Sequence, residues 1–310
     1  MRRLLKILGV LIVLIIVALV GLVMFLPTGQ IVQLVADQVK AQTGRDLQIA
    51  GDVSPSFYPV LGVEAEGITL SNAEWADGPN MVSATSAKIG VKLFPLISGS
   101  VQVEEVRLVD PKILLEVRED GTGNWEFETT SASADSGTQS SGDDGFVKEL
   151  SFGETRIENG AVRFIDGPDG ATYELTEINA SIALTALDQP LVVDGDAVWN
   201  GEKTDLDLTL GTIATLTAGA ETEVDLSLAS APVTLTFKGA LIPPSGAAQI
   251  EAGGAFSVTA NDLAAAMTWA LGEANPSLIG LTNLSLAGDV AVDATALAVD
   301  IKVGVSRAGQ

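Results

Sequence analysis

Residues 204–213 read TDLDLTLGTI: Asp205, Asp207 and Thr209 alternate with Leu206, Leu208 and Leu210. A two-residue period puts every leucine on one side of an extended chain and every polar group on the other, which no helix can do. The stretch is therefore a β-strand with one apolar and one polar face. The next segments keep the pattern, EVDLSLA (223–229) with Val224, Leu226 and Leu228 apolar, then PVTLTF (232–237).

Upstream, VVDGDAVWN (192–200) and the run from Phe146 to Leu187 continue the short apolar segments broken by Gly, Asn and Asp-x-Gly turns. Nearer the start, LQIAGDVSPSF (47–57), GVEAEGITLSN (62–72), AKIGVKLFPL (87–96), SVQVEEVRLVD (100–110) and PKILLEVRE (111–119) do the same. Turn signals recur about every dozen residues, which predicts an antiparallel meander without helical crossovers. VEEVRLVDPKILLEVREDGTGNW and FGETRIENGAVRFIDGPDGATYEL share one plan: strand, Asp-Pro or Asn-Gly turn, strand, Asp-x-Gly turn. Such repetition suits an elongated sheet in which each unit touches mainly its neighbours. About 15 to 18 strands spaced ~4.8 Å apart would extend on the order of 70 to 85 Å.

Two short amphipathic helices are expected. In TGQIVQLVADQVKAQTG (28–44), Ile31, Leu34, Val35 and Val39 share a face and Gly44 is a stop; the helix packs on the sheet or lies in a membrane interface. Near 262–271, Leu263, Ala266, Met267, Ala270 and Leu271 share a face, with Asn261 or Asp262 to cap and Gly272 to terminate.

Ahead of these lies Ile7 to Leu26, an unbroken apolar run behind Arg2, Arg3 and Lys6. As a helix it is roughly 30 Å long, the thickness of a bilayer core. It exceeds a signal-peptide h-region, and no small-x-small cleavage site follows it. It reads as an uncleaved anchor carrying Ile7, Leu11, Ile15, Leu19 and Leu26, with residues 1–6 on the cytoplasmic side. Residues 27–130 then form a first β region beyond the membrane and 146–310 a second. Between them, residues 131–145 hold no apolar side chain larger than alanine and read as a flexible linker.

Seventeen Lys plus Arg against forty Asp plus Glu give a net charge of −23. Nucleic acid would be repelled, and so would anionic headgroups seeking a polybasic patch. The chain has neither Cys nor His, so thiol nucleophiles, disulfides and Ser-His-Asp machinery are excluded. No paired carboxylate stands out as acid and base. The composition argues against an enzyme, and no cofactor is expected. The carboxylates of Glu119–Gly121 and Asp166–Gly170 lack the full ligand series of a calcium loop and read as turn residues. Asn179-Ala180-Ser181 and Asn283-Leu284-Ser285 match the glycosylation pattern by chance. Trp75, Trp125, Trp199 and Trp269 read as packing or turn anchors.

The apolar faces admit two readings. A second sheet could cover them, making a sandwich, or one curled sheet could leave them open as a groove. The candidate lining of that groove is Val101, Val103, Leu206, Leu208, Leu210, Val224, Leu226 and Leu228.

The order anchor, short helix, TGRDLQIAGDVSPSFYPVLGVEAEGITLSN, then VKLFPLISGSVQVEEVRLVDPKILLEVREDGTGNWEF resembles the N-terminal region of the AsmA family of bacterial envelope proteins. The Phe57-Tyr58-Pro59 and Phe94-Pro95-Leu96 steps and the Gly121-to-Trp125 ending carry the likeness; GGAFSVTANDLAAAMTWALG (253–272) also looks like the family. The resemblance implies an inner-membrane protein whose periplasmic sheet curls into a groove and takes part in outer-membrane biogenesis or phospholipid traffic. Its implied partners are membrane lipids, through their acyl chains, and other envelope proteins. The alternative is a structural or assembly factor for outer-membrane proteins with a closed β core.

Overall fold

The alternation that begins at Thr204 builds a strand paired on both sides, and the same arrangement repeats along the chain. A computed structural model describes residues 28–56, 60–92, 103–127, 152–242, 251–273, 275–292 and 297–307. Among them fifteen strands form one sheet. They are β1 (Leu47–Ile49), β2 (Val53–Ser56), β3 (Leu61–Ser71), β4 (Asn80–Val91), β5 (Val103–Val109), β6 (Lys112–Val117), β7 (Phe152–Asp166) and β8 (Ala171–Leu184). The chain continues through β9 (Pro190–Trp199), β10 (Glu202–Thr212), β11 (Thr222–Ser230), β12 (Thr234–Ile242), β13 (Glu251–Asp262), β14 (Leu281–Val292) and β15 (Leu297–Arg307). Among the described residues three α-helices accompany them, α1 (Thr28–Thr43), α2 (Ile213–Thr217) and α3 (Leu263–Leu271), with one 3-10 turn at Pro276–Leu278. Among the described residues no helix is long and apolar enough to cross a membrane. The anchor residues Ile7, Leu11, Ile15, Leu19 and Leu26 lie outside the described residues, as do Val101, both aromatic-proline steps and residues 131–145.

The expected helices form where their caps predict. Gly44, at φ +70°, ends α1 with its N–H on the Lys40 carbonyl (2.8 Å). Asp262 Oδ1 accepts the Ala265 N–H (3.0 Å) at the start of α3, and left-handed Gly272 closes it. The five-residue α2 was not expected. Its cap, Thr212 Oγ1 accepting the Thr215 N–H (3.1 Å), is hidden within the alternating stretch.

Two expectations about the sheet need correction. Strands β7 to β15 are an antiparallel meander, but β5 and β6 both run parallel to β7. Parallel neighbours need a crossover of a dozen residues or more, and the long connection between Val117 and Phe152 supplies it. The two similar segments noted above thus lie side by side in register, Val103 on Phe152 and Val117 on Asp166. The span is also shorter than the strand count suggests. β1 and β2 share one edge of β3, and β6 continues the line of β5, so thirteen strands define the path. Twelve spacings of ~4.8 Å give about 58 Å along the pairing direction.

A line of bulges crosses the first half of the sheet. Gly67, Asp110, Asn159 and Glu177 all have positive φ, and the β7–β8 and β8–β9 registers shift beside Asn159 and Glu177. Each of β3, β4, β7 and β8, and the bent strand β5–β6, switches phase there. On β3, Val63 and Ala65 face the same way as Ile68 and Leu70 beyond Gly67. One extra residue per strand keeps the apolar side chains on one face while bending the strand. The line is stitched by hydrogen bonds: Asn159 Nδ2 to Asp110 Oδ1 (2.6 Å) and the Asn159 N–H to Asn179 Oδ1 (3.0 Å). The bond from Asn159, then one from Thr85, holds the Asp110 carboxyl below its ordinary range.

Buried side chains are few. Under α3, Val233, Ala260 and Ala266 form a small core with Val258, Trp269 and Leu284 against it. Near the first strands, Ala73, Met81 and Ala84 are buried beside Asn72 and Asn124. Asn124 comes from the Gly-x-x-Asn-Trp ending. Its Nδ2 donates to Asn72 Oδ1 and the Leu114 carbonyl, both at 2.9 Å, and its Oδ1 accepts the Glu116 N–H (3.0 Å). Its own carbonyl accepts from Arg45 (3.1 Å). The motif is a latch that ties the end of β6 to the turn after β3 and to the chain entering β1.

Candidate functional site

Strand register decides what the alternating leucines do. Leu206 faces Leu228, Leu208 faces Leu226 and Leu210 faces Val224. All six of these candidate residues are therefore brought together as three direct cross-strand pairs. Their rows continue in both directions. From Leu208 one runs through Val193, Ile182, Thr155, Val106 and Ile89 to Val63. The other way it runs through Leu226, Phe237, Phe256 and Gly288 to Ile301. A parallel row from Ala65 to Val303 passes through Leu206 and Leu228 and contains no polar side chain. Val103 shares this face but sits on β5, paired with Val91 and Phe152, with three strands between it and the leucine cluster. Val101 falls outside the described residues.

None of the side chains in these rows is fully buried. Val63 and Ile89 are each 49% exposed and Ile301 47%. A covering sheet would bury them at interior density. Among the described residues no second sheet lies over this face, so the sandwich expectation does not describe them. The opposite face is polar. Its central row reads Glu64, Lys88, Arg107, Arg156, Ser181, Asp194, Asp207, Ser227 and Thr236 in strand order. The Arg156 guanidinium and then the Ser181 hydroxyl hydrogen-bond Glu154 on this side and hold its carboxyl below its ordinary range.

On the apolar face, β8 to β11 and α3 enclose a cleft of about 350 Å³. Leu175, Ile178, Val193, Leu206 and Leu228 line it together with Trp199, Trp269 and Thr204. The Trp269 indole N–H donates to Thr204 Oγ1 (3.3 Å), and its carbonyl accepts from Asn200 Nδ2 (2.7 Å). These bonds seat α3 across the strand ends. Sequence reading found Leu206 and Leu228 but missed the rest of the cleft. The available signal was Trp199, the last large residue of its alternation, and Trp269, close to the apolar stripe of its helix.

Two of the tryptophans belong to a row of aromatic rings. Trp125, Phe164, Tyr173 and Trp199 follow one another across neighbouring strands with ring centroids 6.4, 6.2 and 6.1 Å apart. Trp125 is 39% and Tyr173 46% exposed. Trp75 fits the anchor reading, with the Arg118 guanidinium 6.0 Å from its ring centroid. The carboxylate of Asp120 caps its own turn, accepting the Thr122 N–H (3.0 Å). Among the described residues no group of three or more carboxylates is placed to hold a metal ion.

The model of the AsmA family matches residues 1–225. The chain belongs to the AsmA family. The match takes in α1, the Asn124 latch, the parallel seam, the aromatic row and the alternating strand at Thr204. No curated protein matches the chain. Membership in AsmA supports a role at the cell envelope.

Proposed function

We propose that this AsmA-family chain is held in the inner membrane by Ile7–Leu26, with its N-terminus cytoplasmic and its sheet in the periplasm. There it binds or conducts phospholipid acyl chains in outer-membrane biogenesis. The observation that carries this reading is the pair of rows, apolar but for Thr155, that cross twelve strands from β3 to β15 with side chains left partly exposed, about half so at the row ends. Apolar surface this continuous is costly to leave against water and marks a site for an apolar partner. The aligned bulges at Gly67, Asp110, Asn159 and Glu177 support a sheet curled about that face, since each adds bend and twist. The cleft under Trp269 is of a size that takes a slender apolar ligand. Binding and conduction, not catalysis, fit a chain without Cys or His.

The test uses the full chain, with a photo-crosslinking residue at Leu208 or at its outward neighbour Asp207. Phospholipid should be captured from position 208 and not from 207. Leu208→Asp should keep the fold, because the site is only partly buried on a face that no second sheet covers among the described residues, so the carboxylate can stay hydrated, while co-purified phospholipid is lost. Wild-type protein without lipid, together with a Leu208→Asp variant that simply melts, would overturn the reading in favour of a closed-core assembly factor.

A further inference from the structure

We propose that the aromatic row at one margin of the apolar face is a headgroup site selecting phospholipids that carry a primary or quaternary ammonium. This inference rests on the lipid-binding reading above and adds to it a place and a chemistry for the headgroup.

Three observations converge. The first is the row itself. Trp125, Phe164, Tyr173 and Trp199 lie on four neighbouring segments, and Tyr173 and Trp199 stack within 14° of parallel. Rings that served only as packing would be covered, yet Tyr173 is nearly half exposed. Aromatic rings with a polar tip favour the level where acyl chains meet headgroups. The second is position. Trp199 also lines the apolar cleft, so the row ends where an acyl chain would enter. A ligand with its chain against Leu206 and Leu228 would carry its headgroup toward the rings.

The third is charge. Glu202 faces Trp199 directly across the β9–β10 pair, and Asp166 follows Phe164 by two residues on the same face of β7. Basic residues of the adjoining turns are engaged elsewhere, Lys203 with Asp196 (3.4 Å) and Arg118 with Asp120 (3.9 Å). Ring faces attract cations, and flanking carboxylates add to that attraction while opposing an anionic headgroup. The chain already shows this chemistry on itself, with Arg118 held over Trp75.

The experiment incubates purified full-length protein with vesicles of equal phosphatidylethanolamine and phosphatidylglycerol, re-isolates it, and measures the ratio of bound headgroups. Wild type should favour phosphatidylethanolamine by about two- to fivefold, the size expected of an exposed cation–aromatic contact. Tyr173→Leu and Glu202→Gln should each lower the ratio toward that of the vesicles with total bound lipid kept. Tyr173→Phe, which preserves the ring, should retain the preference. Thermal unfolding of each variant identifies any that misfolds, and Glu202→Gln, at an exposed strand end, stands in for one that does. Equal binding of both lipids by wild type, or variants that lose total lipid at constant ratio, would overturn the headgroup site and leave the lipid reading standing. Binding of neither lipid would overturn the lipid reading and this inference with it.

Discussion

Replacing Asn124 by alanine tests whether the Gly-x-x-Asn-Trp ending is a structural latch. Asn124 is fully buried and its side chain makes three hydrogen bonds. Asn124→Ala leaves the Leu114 carbonyl and the Glu116 N–H without these partners, whereas Asn72 Oδ1 still accepts the Ala73 N–H (2.9 Å). Both groups are part-buried, so each loss sits near the low end of about 1–3 kcal/mol and a total of about 2 kcal/mol is expected. That corresponds to a fall in Tm of about 4–8 °C. Asn124→Asp is the sharper variant. It keeps an acceptor for Glu116 but sets oxygen against both Leu114 O and Asn72 Oδ1, so it should destabilise at least as much as alanine. The assay is thermal unfolding of the detergent-solubilised chain, followed by its β-sheet circular dichroism. A fall below about 3 °C for both variants, with cooperative unfolding unchanged, would refute the latch, since each lost bond should cost at least about 1 kcal/mol.

Asp262→Ala removes the N-cap of α3 and should cost about 1 kcal/mol, with a shift in Trp269 fluorescence as the helix loosens over the cleft. Asp262→Asn, which still caps, should be near neutral by both measures. Glu154 links stability to pH: hydrogen bonds from Arg156 and then Ser181 lower its folded pKa below the ordinary 4.5. Its contribution is present above that value and lost as pH falls through the folded pKa. The Tm of wild type should therefore fall more steeply than that of Glu154→Gln as the pH is lowered below 4.5, and parallel curves would contradict the assignment.

How legible the fold was depended on whether a strand keeps its phase. At Leu206, Leu208 and Leu210 the alternation is unbroken, and face, pairing and partner strand all follow from it. The bulges at Gly67, Asp110, Asn159 and Glu177 each insert one residue, so along β3, β7 and β8 the apolar positions change parity midway. In sequence that looks like a blurred pattern; in the sheet it is one continuous face. Helix α3 was legible because Asp262 and Gly272 punctuate it, whereas α2 is too short for a period to emerge. The parallel seam was hidden because it depends on where a long connection delivers the chain. The aromatic row was hidden because Phe164 and Tyr173 become neighbours only through the β7–β8 register. The cleft needed tertiary contacts between Trp269 and Thr204, 65 positions apart.

The seam between β5–β6 and β7 also sets an order of assembly. Every antiparallel pair along β7 to β15 joins successive segments and can close as soon as both have been synthesised. At the seam Val103 waits for Phe152 and Val117 for Asp166, a delay of 49 positions. Closing a loop about ten times longer than the five positions from Asp166 to Ala171 costs about 2 kcal/mol more in chain entropy. Until residue 166 has emerged from the ribosome, the far edge of β5–β6 stays unpaired, and a strand from another chain could take the place of β7. The join that aligns the two similar segments is thus where the growing chain is most open to pairing with the wrong neighbour.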